Sequence, residues 1–97
     1  MLFRSSALAS EYGITSRAEA VAYLEHPVLG PRLRECTRVV NSVTGRTAHE
    51  IFGSPDDLKF RSSMTLFAAV APREERFSRA LEKYFGGAAD AATLALL

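Results

Sequence analysis

Ninety-seven residues suit one small domain, and an apolar fraction of 47% beside 24% charged residues excludes a disordered chain. A formal net charge of +1 gives no strong field toward nucleic acid or an acidic membrane, and argues against both as partners. The single cysteine, Cys36, excludes a disulfide within the chain, a reducing cytosol is the simplest compartment, and no apolar run approaches the ~18–20 residues that span a bilayer.

The apolar spacing is helical nearly throughout, with no hairpin signal and no sustained alternation. It predicts an all-α fold, a compact multihelical single domain over residues 1–97 with about five to seven short helices. Met1 to Ser10 carries Arg4 and no acid, a faint likeness to a targeting peptide, but its apolar part is short and broken. A first helix is the better reading, with Leu2, Phe3, Leu8 and Tyr12 on one face and Gly13 as its stop.

Ser16 and Glu19 have capping-box spacing and open a second helix that runs to about Glu25, where Pro27 disfavours helical geometry at His26. Val28-Leu29-Gly30 reads as a connector, with Pro31 at the first position of a third helix. Leu33, Cys36, Val40 and Val43 form its buried stripe, and Gly45 closes it. Thr47 and Glu50 make a second capping box and open a short turn of helix that stops at Gly53. Ser54-Pro55-Asp56-Asp57 then offers a cap, a proline at the first position and two acids in the first turn. Phe60, Met64, Phe67 and Ala71 form the stripe of that helix, broadened by Leu58, Thr65, Leu66 and Ala69. Pro72 begins another helix with Glu74 and Glu75 in its first turn; Phe77, Leu81, Tyr84 and Phe85 are its buried side, and Gly86-Gly87 ends it. Asp90 caps a last short helix carrying Leu94, Leu96 and Leu97.

Few of these residues point to chemistry. Asp56 and Asp57 with Lys59 and Arg61 could form a polar site at a helix start, since paired acids serve acid–base work when their environments separate their pKa values. The plainer reading is that both acids satisfy amides and the helix dipole. Arg61, Ser62 and Ser63 present a guanidinium and two hydroxyls within one turn, a set able to hold a phosphate or carboxylate; serines there also permit close helix packing. His26 is a candidate base or ligand, or a helix-terminal cap. His49 sits inside a capping box. Cys36 lies on an apolar stripe, as an inert thiol does. His26, His49 and Cys36 are too dispersed to compose a metal site, so none is expected, and no cofactor loop of the Walker or dinucleotide type is present. Ten of the twelve basic residues are arginine, which genome composition explains as readily as phosphate binding does.

Three blocks carry a family likeness: Tyr23 to Cys36 with its His26-Pro27-Val28-Leu29-Gly30-Pro31 core, Ile51 to Phe67, and Lys83-Tyr84-Phe85-Gly86-Gly87 followed by Asp90 to Leu97. In matching order over nearly the whole chain, they resemble the bacterial domain-of-unknown-function 1810 family. The resemblance implies a mainly α-helical fold and brings no assigned activity. Some members carry the label calpastatin, which names a disordered repeat inhibitor and does not suit a capped, compact chain. Members usually begin with a further helical segment bearing a His-x-Met-Trp motif, aromatics and Phe-Pro-Gln. This chain has no Trp and resembles the C-terminal two-thirds of a member.

Two functions are therefore expected from different classes. The first is a non-catalytic interaction or structural module. The second is a binding or processing protein for a nucleotide or phosphorylated metabolite, with a site built from Asp57, Lys59, Arg61, Ser62 and Ser63 and with His26 nearby. The shortened likeness adds an expectation of an apolar face near Leu2, Phe3 and Leu8 that drives self-association or takes a protein partner.

Overall fold

The computed structural model describes residues 16–95 and residue 97, and every element among them is helical. The helices are α1 (Arg17–Glu25), α2 (Leu29–Ser42), α3 (Ala48–Phe52), α4 (Asp56–Val70), α5 (Glu75–Phe85) and α6 (Ala91–Ala95). The all-α architecture read from the sequence is the architecture found. The first expected helix, with Leu2, Phe3, Leu8, Tyr12 and its stop at Gly13, lies outside the described residues.

Local chemistry sets most boundaries. Ser16 accepts the Glu19 amide at 3.2 Å and so caps α1; the Glu19 carboxylate meets the Ser16 hydroxyl at 3.5 Å. The Thr47–Glu50 box is complete, with the Glu50 amide on Thr47 Oγ1 at 3.1 Å and the Thr47 amide on Glu50 Oε1 at 2.8 Å. Gly53 ends α3 at φ 73°, in the region that favours glycine. Asp90 caps α6: its Oδ2 accepts the Thr93 amide at 3.0 Å and the Thr93 hydroxyl at 2.6 Å.

Three starts differ from expectation. α2 begins at Leu29, so Leu29 and Gly30 are its first turn and not a connector. The reason is His26, whose Nδ1 accepts the Val28 and Leu29 amides at 3.1 Å each. Pro31 is tolerated two residues in, because amides of the first turn have no intrahelical acceptor. α4 begins at Asp56 with Pro55 in the cap position and no side-chain cap bond, so Ser54 is not the cap. α5 begins at Glu75, three residues after Pro72.

α4 is the centre of the fold, packing against α1, α3, α5 and α6, while α2 packs against α1 and α5. Phe60, Met64 and Phe67 on α4 are fully buried, as expected from their spacing, together with Leu33, Phe77 and Ala80. Their rings interlock: Phe60 lies 4.7 Å from Phe52 and 6.1 Å from Phe85, and Phe67 lies 5.6 Å from both Tyr23 and Phe77. Leu58, expected to broaden the apolar face of α4, faces solvent, as does Leu94 on α6. Leu58 is 58% exposed and Leu94 47% exposed, while Thr93 is buried in place of its leucine neighbour because its hydroxyl and amide both bond Asp90. None of the described helices is long and apolar enough to cross a membrane.

Candidate functional site

Two polar surfaces flank this core. The first is the outer side of α4, where the sequence placed its candidates. Asp57 sits in the first turn; its Oδ1 accepts the Leu58 amide at 2.9 Å and its Oδ2 lies 3.3 Å from His49 Nδ1. Arg61 is committed to the fold. Its Nε donates to the Ala88 carbonyl at 2.9 Å, its Nη2 to the Ala89 carbonyl at 3.1 Å, and its guanidinium lies 5.8 Å from the Phe85 ring centroid. Ser62 Oγ is 3.4 Å from Asp90 Oδ2, and Ser63 is buried. Lys59 is half-buried. These residues share α4, but Arg61 and Ser62 face the chain that enters α6, and Asp57 faces α3. His26 belongs to another junction, the turn between α1 and α2, where its ring accepts two amides. Accepting at Nδ1 places the ring proton on Nε2.

The 88–93 segment is thus pinned by Arg61, Ser62 and Thr65, whose Oγ1 accepts the Asp90 amide at 2.9 Å. The Thr93 hydroxyl, with further help from the Thr93 amide, Ser62 and nearby Arg61, holds the Asp90 carboxyl below the usual carboxylate range. Arg61→Met removes both carbonyl bonds while keeping much of the apolar stem. It is expected to cost about 1–2 kcal/mol and to accelerate amide exchange selectively in residues 88–95. Uniform protection across the variant would show that the clamp is not made in solution.

The second surface had no sequence signal. α2 and α5 bound an open groove of about 610 Å³ lined by Arg38, Asn41, Arg73, Glu74, Arg76 and Arg79, among others. Its wall is fixed by Arg34, whose Nε and Nη2 hold the two Glu74 oxygens at 2.7 and 3.0 Å while Nη1 donates to the Leu24 carbonyl at 3.2 Å. Arg76 adds a longer contact to Glu74 at 3.7 Å. This is why Glu74, expected in the first turn of its helix, stands before α5 without capping it: its carboxylate is turned to α2. Elsewhere between α2 and α5, Lys83 donates to the Asn41 and Val43 carbonyls and Tyr84 donates to the Val40 carbonyl. Burial pushes the Tyr84 hydroxyl pKa up.

The Arg34 hydrogen bonds hold the Glu74 carboxyl below its usual range, against desolvation and with help from the charges of Arg34 and Arg76. Folded Glu74 therefore binds its proton less readily than unfolded Glu74. The stabilisation is present above the ordinary carboxylate range and is lost as pH falls through the depressed folded value. For a partly exposed bidentate pair about 1 kcal/mol is expected. Urea midpoints from pH 7 to pH 3 should fall less steeply for Glu74→Gln than for the unsubstituted chain. Parallel curves would show that the pair contributes nothing.

Among the described residues no three of His, Cys, Asp and Glu gather where a metal could be held. Cys36 is a free thiol of intermediate burial packed against the core. Leu2, Phe3 and Leu8, expected at an uncovered apolar edge, lie outside the described residues.

The model of the family described as "Protein of unknown function (DUF1810)" matches residues 2–97. The chain is also similar to the crystal structure of the conserved hypothetical protein Rv1873 from Mycobacterium tuberculosis, at 58% identity and a TM-score of 0.86. That likeness covers 96% of this chain, and this chain spans 66% of that one. No curated protein matches the chain.

Proposed function

The chain belongs to the DUF1810 family, and from its packing we propose that it acts as a non-catalytic helical interaction module. The observation that supports this reading most is the fate of the candidate polar groups. His26 holds two amides, Arg61 holds two carbonyls, and Ser62 lies against the Asp90 cap. A group so engaged has little freedom to exchange partners during a reaction, and a nucleophile, base and oxyanion donors must converge on one reacting atom. Asp57 and Arg61 instead face different neighbours along α4. The alternative reading, a phosphorylated metabolite held by Asp57, Lys59, Arg61, Ser62 and Ser63, requires Arg61 to leave Ala88 and Ala89.

Thermal-shift measurement against a panel of nucleotides and phosphorylated metabolites separates the two. A ligand that binds only the folded state raises the midpoint by mass action, by about 2.7 kcal/mol of apparent stability at a hundredfold excess over its Kd. The module reading expects no specific shift. A saturable shift that disappears in Arg61→Met would replace it with the metabolite site.

A further inference from the structure

We propose that the groove between α2 and α5 is a docking site for an acidic segment of a partner protein, gripped by Arg38, Arg73 and Arg79. This inference rests on the interaction-module reading and gives it a partner chemistry.

Charge is the first argument. The groove gathers Arg38, Arg73, Arg76 and Arg79 against Glu74 and Glu75, in a chain whose net charge is only +1. Among the described residues no aliphatic or aromatic side chain lines it, so charge is its most distinctive means of recognition. Multiple guanidinium forks suit carboxylates, each of which can accept two parallel hydrogen bonds.

Availability is the second. Arg73 is exposed and makes no ion pair or hydrogen bond among the described residues. Arg38 pairs with Glu35 three residues away, and Arg79 with Glu75 four residues away at 3.3 Å. All four of those side chains are more than 60% exposed, and such pairs contribute little. A partner carboxylate can therefore displace Glu35 or Glu75 at small cost. Arg34 and Glu74 are different: bidentate, more buried and tied to Leu24, they remain as the wall.

Shape is the third. The groove is open to solvent, so it surrounds a small molecule incompletely, whereas an extended chain can lay successive carboxylates across its arginines. Asn41 bears on the same point. Its Nδ2 donates to the Arg76 carbonyl at 3.0 Å, which fixes the amide orientation, and its Oδ1 is buried with no hydrogen-bond partner among the described residues. A guanidinium drawn inward by a bound segment would supply the missing donor.

The test uses a fluorescent octaglutamate peptide and the full chain. Anisotropy is read at about 0.01 M and about 0.15 M ionic strength, where the screening lengths are about 30 and 8 Å. Binding at low salt that weakens at high salt is expected. Arg73→Glu with Arg79→Gln should weaken it about tenfold or more, while Arg46→Glu, an exposed arginine outside the groove, should leave it nearly unchanged. Circular dichroism confirms that each variant folds. Absence of binding at low salt, or an equal loss in Arg46→Glu, overturns the proposal. So does inorganic pyrophosphate binding with the same arginine dependence when octaglutamate does not bind. If octaglutamate fails and the metabolite panel is also silent, only the groove inference falls. A metabolite shift removes the module reading itself.

Discussion

Replacing Phe67 with alanine should lower the stability of the chain by about 3–5 kcal/mol. Phe67 has no solvent exposure, and its ring lies 5.6 Å from Tyr23 of α1 and 5.6 Å from Phe77 of α5. It therefore joins three helices through one side chain, and none of the three can collapse onto the vacancy without leaving another partner. Small domains have about 5–15 kcal/mol in all, so the loss is a large share of the total. Urea denaturation followed by circular dichroism reads it directly. Leu58→Ala on the same helix is the internal control: at 58% exposure it should change stability by no more than about 0.5 kcal/mol. If the two variants shift the midpoint alike, α4 is not the centre of the core.

What could be read from the sequence was chemistry closed within a few residues. The Thr47–Glu50 box and the Ser16 and Asp90 caps need only one turn of chain to be recognised, the Phe60-Met64-Phe67 stripe two, and each is present. The start of α2, the groove and the partners of Arg61 were hidden by a partner outside the local window or of an unusual type. α2 lacks a Ser, Thr, Asp or Asn cap, so the sequence points to Pro31 as its start; the His26 ring does the work of a cap at Leu29. Ser54 has the side chain of a cap, yet Pro55 takes the cap position of α4 and no side chain caps it. On α6 the leucine at position 94 is exposed, and Thr93, bonded to Asp90, is the buried residue. The groove was invisible because it joins arginines of α2 with arginines at the start of α5, and its wall depends on Arg34 meeting Glu74 across forty residues of chain. Arg61 reads in sequence as a guanidinium able to hold a phosphate or carboxylate; its partners in the structure are the backbone carbonyls of residues 88 and 89.

Gly30→Ala is the second large expected effect, and it acts by a different mechanism. In sequence, Gly30 beside Pro31 suggests a loop glycine chosen for conformational freedom. In the structure it is helical, buried and at the crossing of α1 and α2. A Cβ built on it would stand 2.1 Å from the Leu24 carbonyl oxygen and 2.9 Å from the carbonyl carbon. The same oxygen already accepts Arg34 Nη1 at 3.2 Å, so it is held from the other side. Alanine is favoured over glycine in helices by about 0.5–1 kcal/mol, and that preference opposes the steric cost. Overpacking against mobile side chains costs about 1–3 kcal/mol; here the obstacle is backbone, so relief requires α1 and α2 to separate. The steric cost should win, with a net loss of at least about 2 kcal/mol. Gly45→Ala offers the contrast. Its φ of 72° strains any side chain, but nothing lies within 4 Å of the added carbon, so only the backbone penalty of about 1–2 kcal/mol applies. Because separating α1 from α2 also moves the Leu24 carbonyl away from Arg34, Gly30→Ala should reduce the acid sensitivity attributed to Glu74, whereas Gly45→Ala should leave it intact. A Gly30→Ala chain as stable as the parent, with the same acid limb, would mean that the two helices cross farther apart than this geometry requires.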